Sequence, residues 1–193
     1  IGGRASGATE AGAARLLAGG EVHRSGAVLL AFAGNVAIDP VVAQGCRPVG
    51  DPLFVTAGDG NLIHELDGRR PRDVLTALFG ALGEAERAHF GDALCIGIAL
   101  PGSRQSVGAG DFLVRNVLGL DPDSGALWIG ARVARNAVVQ FHLRDAEAAS
   151  QELEARLDAS LVGRPPPVAA LLFACAGRGR NLFGVTGHDS GTL

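Results

Sequence analysis

Three short stretches hold the side chains best able to bind a charged ligand. In the apolar run 137–143, Gln140 and His142 alternate with Val139, Phe141 and Leu143, and Arg144 continues the polar parity. A strand of period two sets Gln140, His142 and Arg144 on one face. Asp145 follows at once, placed to cap the next helix, and a strand end beside a helix N-terminus can receive a carboxylate or another anion. The same residues also fit a plainer arrangement, with Arg144 paired to an acid at a wet strand edge.

The second stretch, Cys175-Ala176-Gly177-Arg178-Gly179-Arg180-Asn181, is a glycine-rich loop with two arginines. Glycine lets backbone N–H groups approach a ligand, and a guanidinium can fork onto a carboxylate or phosphate. Leu182 stands where a dinucleotide-binding G-x-G-x-x-G would need its third glycine, and a tight turn with solvated arginines fits the segment equally well. In the third stretch, Gly187-His188-Asp189-Ser190-Gly191, a serine lies among glycines. The hydrolase pattern G-x-S-x-G fails because His188 replaces its first glycine, and no spacing identifies a base or an oxyanion hole for Ser190.

The five histidines, His23, His64, His89, His142 and His188, show no H-x-x-x-H or H-E-x-x-H spacing, so no metal site is expected. One histidine suffices to ligate haem iron. His142 and His64 are the candidates, since both fall in expected strands with polar parity, although ordinary hydrogen-bonded histidines fit as well. Cys46, Cys95 and Cys175 are odd in number and far apart, unlike a disulfide framework or a zinc knuckle. Cys46 and Cys95 read most simply as small buried hydrophobes.

Composition closes several chemistries. All 17 basic side chains are arginine, which removes the Walker lysine and Schiff-base catalysis. Tyrosine is absent too, and with it a phenolic acid. A net charge of −3 without a basic run argues against nucleic acid. No apolar run reaches the ~18 residues needed to span a bilayer, and the start shows no signal-peptide pattern. A reduced, cytoplasmic chain is expected, from a GC-rich and thus bacterial genome. It opens on Ile1, not methionine, as a piece of something longer would.

The elements that must position these side chains follow from pattern. Small residues such as Ser6-Gly7 fill the first 25 positions. A strand is expected over 26–32, then a hairpin of strands 53–56 and 61–66 around Gly58-Asp59-Gly60. Pro71 suits a first helical turn, and Val74, Leu75, Leu78, Phe79 and Leu82 carry a helix over 71–90. Strands are expected at 93–100, 111–118, 127–132 and 137–143, and a helix at 145–161 with Ala149, Leu153, Leu157 and Leu161 as its buried stripe. Val168 to Cys175 reads as a strand buried on both faces. This order is not a regular βαβ alternation. It favours an α+β fold with mixed or antiparallel sheets and helices packed on the outside.

Taken in order, three groups of segments resemble the FIST domain (F-box and intracellular signal transduction). They are Gln44-Gly45-Cys46-Arg47-Pro48-Val49-Gly50 with Asn61-Leu62-Ile63-His64-Glu65-Leu66-Asp67-Gly68; Phe112-Leu113-Val114-Arg115-Asn116 with Val139-Gln140-Phe141-His142-Leu143-Arg144-Asp145-Ala146; and Leu171-Leu172-Phe173-Ala174-Cys175-Ala176-Gly177-Arg178-Gly179 with Leu182-Phe183-Gly184. The resemblance implies two related sub-domains, both incomplete: the end of the N-terminal half over 1–66 and most of the C-terminal half over 67–193. It implies a cytoplasmic, non-enzymatic sensory module that binds a small molecule such as an amino acid and feeds downstream signalling proteins. Some members of the family are described as haem proteins that sense nitric oxide, and a protein-interaction scaffold without a small ligand is a third possibility. Carried onto matching positions, the ligand residues are Arg115, Arg144, Asp145, Cys175, Arg178 and Gly179. Their arginines are expected to converge on one hollow that accepts a negatively charged guest.

Overall fold

The computed structural model describes residues 2–3, 10, 12–100, 111–175 and 177–193, so Ser6-Gly7 and Ala176 lie outside the described residues. The fold is α+β with antiparallel strands, in two compact units. One spans 44–149, and the other comprises 1–43 and 150–193.

Residues 44–149 build a closed six-stranded barrel. Its strands are β3 (Cys46–Asp59), β4 (Leu62–Leu66), β5 (Leu94–Ala99), β6 (Phe112–Leu120), β7 (Leu127–Ile129) and β8 (Val138–Arg144). Round the barrel they run β3-β4-β7-β6-β5-β8, and β8 closes on β3. The expected hairpin is present: β3 turns into β4, with Asp59 opposite Leu62. Shifts in register after Val49 let the long β3 pair with β8 along its first part and with β4 along its last. Alternation does the rest. Val55, Ile63, Ile96, Leu127, Ile129 and Val139 are fully buried in one apolar core, joined by Phe141 and Leu143. Each such side chain stabilises by about 1.5–3 kcal/mol on leaving water.

Among the described residues, one flank of β6 has no strand against it at Phe112–Val114, because β7 pairs only from Val117 onward. There the Gln44 carboxamide donates from Nε2 to the Phe112 carbonyl oxygen (2.5 Å) and accepts the Val114 N–H at Oε1 (2.8 Å).

The single helix expected over 71–90 is in fact two, α1 (Pro71–Ala81) and α2 (Glu84–Ala93). Leu82 is extended, and Gly83, a poor helix former, begins the second helix. The break is held from both sides. The Gly83 N–H donates to the Glu86 carboxylate at 2.9 Å, and Arg87 donates to the Phe79 and Gly80 carbonyls at the end of α1. Val74 and Leu75 of α1 enter the barrel core.

The other unit holds the hairpin β1 (Leu16–Ala18) and β2 (Glu21–His23), most of α3 (Ala146–Leu161), and the short helices α4 (Arg180–Phe183) and α5 (His188–Thr192). Two sequence expectations fail here. Residues 26–32 and 168–175 form no strand, and their apolar side chains are exposed, with Leu29 at 89% and Val168 at 105%. Apolar runs become strands only where a neighbouring backbone pairs with them, and no described residue does so for either run.

Candidate functional site

The first candidate cluster lies on β8, on the face away from the core. Register places Cys46 of β3 opposite Arg144, and Cys95 of β5 opposite His142. Asn116 of β6 is opposite Cys95 in turn. Residues paired directly across an antiparallel ladder project to the same face, so all five share one patch. Arg144 donates from Nη2 to the Asn116 Oδ1 at 2.6 Å. Asp145 is a helix cap: its Oδ1 accepts the Ala148 N–H at 2.8 Å. Its other oxygen lies 4.0 Å from the Arg47 Nε, while Arg47 also pairs with Glu86 of α2. The Gly83 N–H and then Arg47 hold the Glu86 carboxyl below the usual carboxylate range.

Arg115 does not join this patch. It pairs with Ile96, which pairs with Phe141, so β6 turns Arg115 to the core-side parity while Arg144 takes the other. Its Nη1 donates to the Val114 carbonyl oxygen at 2.9 Å. The expected convergence of Arg115 with Arg144 is therefore overturned by a one-residue difference in parity.

His142 is buried, and its Nδ1 lies 3.0 Å from the Gln140 carbonyl oxygen. Its ring meets Phe112 edge-on, with centroids 5.3 Å apart. Both side chains lean over Gly97, where a Cβ would sit 2.6 Å from His142 Cε1. Burial lowers the His142 pKa and keeps the imidazole neutral, against a smaller opposing pull from the Gln140 carbonyl. The ring packs against Phe112 and the Gly97 backbone. His64 is exposed on β4.

The second cluster lies in the other unit. Arg178 forks onto Asp189, Nε to Oδ2 at 2.6 Å and Nη2 to Oδ1 at 2.8 Å; Asp189 is buried and Arg178 largely so. This guanidinium holds the Asp189 carboxyl below the usual range, and the carboxylate raises Arg178 in return. Arg178 also lies over the Phe183 ring at 5.2 Å, and Phe183 stacks on His188 with centroids 3.6 Å apart. His188 Nδ1 lies 3.2 Å from Asp189 Oδ1, and its Nε2 lies 2.8 Å from the Ser150 hydroxyl on α3. Among the described residues, the buried Arg178 Nη1 has no hydrogen-bond partner.

Gly179, between Arg178 and α4, has φ 70° and ψ −138°, a conformation only glycine adopts freely, and a Cβ there would meet open space. Cys175 is exposed, and its carbonyl oxygen accepts the Arg178 N–H at 2.9 Å. An open apolar depression of about 420 Å³, lined by Leu75, Phe79, Phe90 and Val117 among others, includes none of the candidate residues.

Comparison with known proteins places the chain within one family. The FIST N domain matches residues 1–69 and the FIST C domain matches residues 72–191. The chain belongs to the FIST family. An uncharacterized protein of Mycobacterium tuberculosis is 42% identical over 194 residues, covering 100% of this chain and 50% of that protein. An uncharacterized protein of Mycobacterium bovis is 41% identical over the same span. This FIST chain thus spans about half the length of the curated relatives it matches. No solved structure matches it. FIST domains are sensory domains of signal transduction. Among the described residues, no helix is long and apolar enough to cross a membrane.

Sequence reasoning missed Asp189, His188 and Ser150 as partners of Arg178, and Cys46, Cys95 and Asn116 as neighbours of Arg144. Asp189 was legible only as part of a failed hydrolase pattern. Ser150 is 38 residues from His188, and no local spacing connects them.

Proposed function

We propose that this FIST chain is a sensory module for a small carboxylate such as an amino acid, with Arg178 as the anchor. One observation carries the reading: among the described residues, the buried Arg178 Nη1 has no acceptor. A buried unpaired donor costs about 1–3 kcal/mol, more when charged, so such groups are normally satisfied. Asp189 takes the other edge of the guanidinium and fixes its plane. That leaves the Nη1 edge for a carboxylate oxygen, the acceptor an arginine fork matches best. The module acts by binding, without enzymatic turnover, and hands the signal to downstream proteins in the cytoplasm.

The test is calorimetric titration of the intact parent protein with the common amino acids and with small mono- and dicarboxylates, beside a thermal-shift screen. A ligand that binds the native state raises the melting temperature. Arg178→Lys, which keeps the charge but not the planar fork, is expected to abolish that rise. A parent protein that no carboxylate stabilises, yet whose downstream partner still binds, would favour the scaffold reading and remove the sensor.

A further inference from the structure

The patch around Arg144 contains two thiols that the ligand reading does not use. Cys46 and Cys95 lie 49 positions apart in sequence but on the two strands that flank β8. Arg144 of β8 reaches Asn116 of β6 on this face, and β5 lies between those strands with Cys95 opposite Asn116, so the guanidinium passes over the Cys95 thiol. The Cys46 thiol donates to the Gln44 carbonyl oxygen at 3.6 Å. Arg144 is itself fixed by Asn116. The fourth neighbour, His142, is buried and neutral.

We propose that Cys95 is a peroxide-reactive thiol, oxidised to sulfenic acid at a site built by Cys46 and Arg144. Burial alone would raise a thiol and leave it inert. Here the Cys46 hydrogen bond, then the charge and hydrogen bond of Arg144, outweigh burial and draw Cys95 down to about 7. A substantial share is therefore thiolate at neutral pH, the form that reacts. The thiolate sulfur attacks one oxygen of hydrogen peroxide; the S–O bond forms as the O–O bond breaks. Hydroxide leaves and is protonated to water, so the thiol and one peroxide give a sulfenic acid and one water. Sulfur is oxidised by two electrons and the peroxide takes them up.

Two features shape the outcome. Cys95 is only 2% exposed, which admits a small neutral oxidant and excludes bulky electrophiles. Strands on either side of a third lie about 9.5 Å apart, whereas a disulfide needs Cα atoms about 4.4–6.8 Å apart. A disulfide between Cys46 and Cys95 would therefore require the strands to move. Cys175, exposed and outside this cluster, is the internal control.

The experiment treats the full chain with hydrogen peroxide and dimedone and reads each cysteine by peptide mass spectrometry. Cys95 is expected to take the label faster than Cys175, with a pH–rate inflection near 7. Arg144→Gln and Cys46→Ala should each slow it about tenfold at neutral pH, the effect of a one-unit rise in thiol pKa. Arg144→Lys should restore part of the rate, and thermal melts confirm that each variant is folded. Labelling confined to Cys175, or a Cys95 rate indifferent to Arg144→Gln in a folded variant, would overturn the proposal. Carboxylate titrations at Arg178 are independent of either result.

Discussion

The barrel and the segment around Arg178 reach order by opposite means. In the barrel, stability is spread over many apolar side chains that alternate along six paired strands, and the polar groups on its other face are accessory to it. Around Arg178 there is little apolar area. One buried ion pair, one stacked imidazole and one serine hydroxyl set the geometry. A buried pair specifies a conformation more than it stabilises one, because desolvation offsets most of its attraction. The barrel should therefore tolerate the loss of any single polar contact, whereas the Arg178 segment should not.

The largest expected effect tests the first half of that contrast. Phe141→Ala removes a core ring that faces Ile96 across the β5–β8 ladder, and should destabilise the barrel by about 4 kcal/mol in urea unfolding. A cost below about 1 kcal/mol would mean the core is not the barrel's main support. Next comes Asp189→Ala, which strands the Arg178 guanidinium in a buried site at a cost of about 3 kcal/mol. Hydrogen exchange should then show loss of protection in residues 177–193 while amides of β5 and β8 keep theirs. Equal loss in both regions would erase the distinction between them.

The smallest effects are those of acid, and they differ in pH range. Asp189 has a depressed carboxyl, so its contribution is present at neutral pH and disappears as pH falls below about 4 through the folded value. His142 has a depressed imidazole: above about 6.5 both folded and unfolded forms are neutral, and below it the unfolded chain binds the proton first. Barrel stability should thus decline from about pH 6.5 downward, by no more than about 1.4 kcal/mol per unit. His142→Gln should flatten that decline in pH-dependent melts, while the Asp189 response stays in place.

What was legible in the sequence was what local physics decides. Gly58-Asp59-Gly60 marked the β3–β4 hairpin, Pro71 the start of α1, and Asp145 the cap of α3. The alternation from Val139 to Leu143 correctly assigned the two faces of β8. What depends on register was not legible. Arg115 and Arg144 look equivalent as arginines in strands, yet pairing turns them to opposite faces. Cys46 and Cys95 become neighbours only because β8 lies between their strands. The helix break at Leu82-Gly83 was hidden because its stabilising groups, Glu86 and Arg87, read as ordinary solvated positions on a continuous helix. For residues 168–175 the composition was right for a strand, but composition cannot supply the second backbone a ladder requires.

The Gln44 carboxamide also limits how these barrels can associate. A bare stretch of β6 is the kind of margin along which copies of a protein stick together, since each exposed amide invites a stranger's carbonyl. By offering one donor and one acceptor in the spacing of a peptide group, Gln44 occupies that margin from within the same molecule. A lone side chain does there what would otherwise take a seventh strand, and an incoming chain finds those two backbone positions already taken.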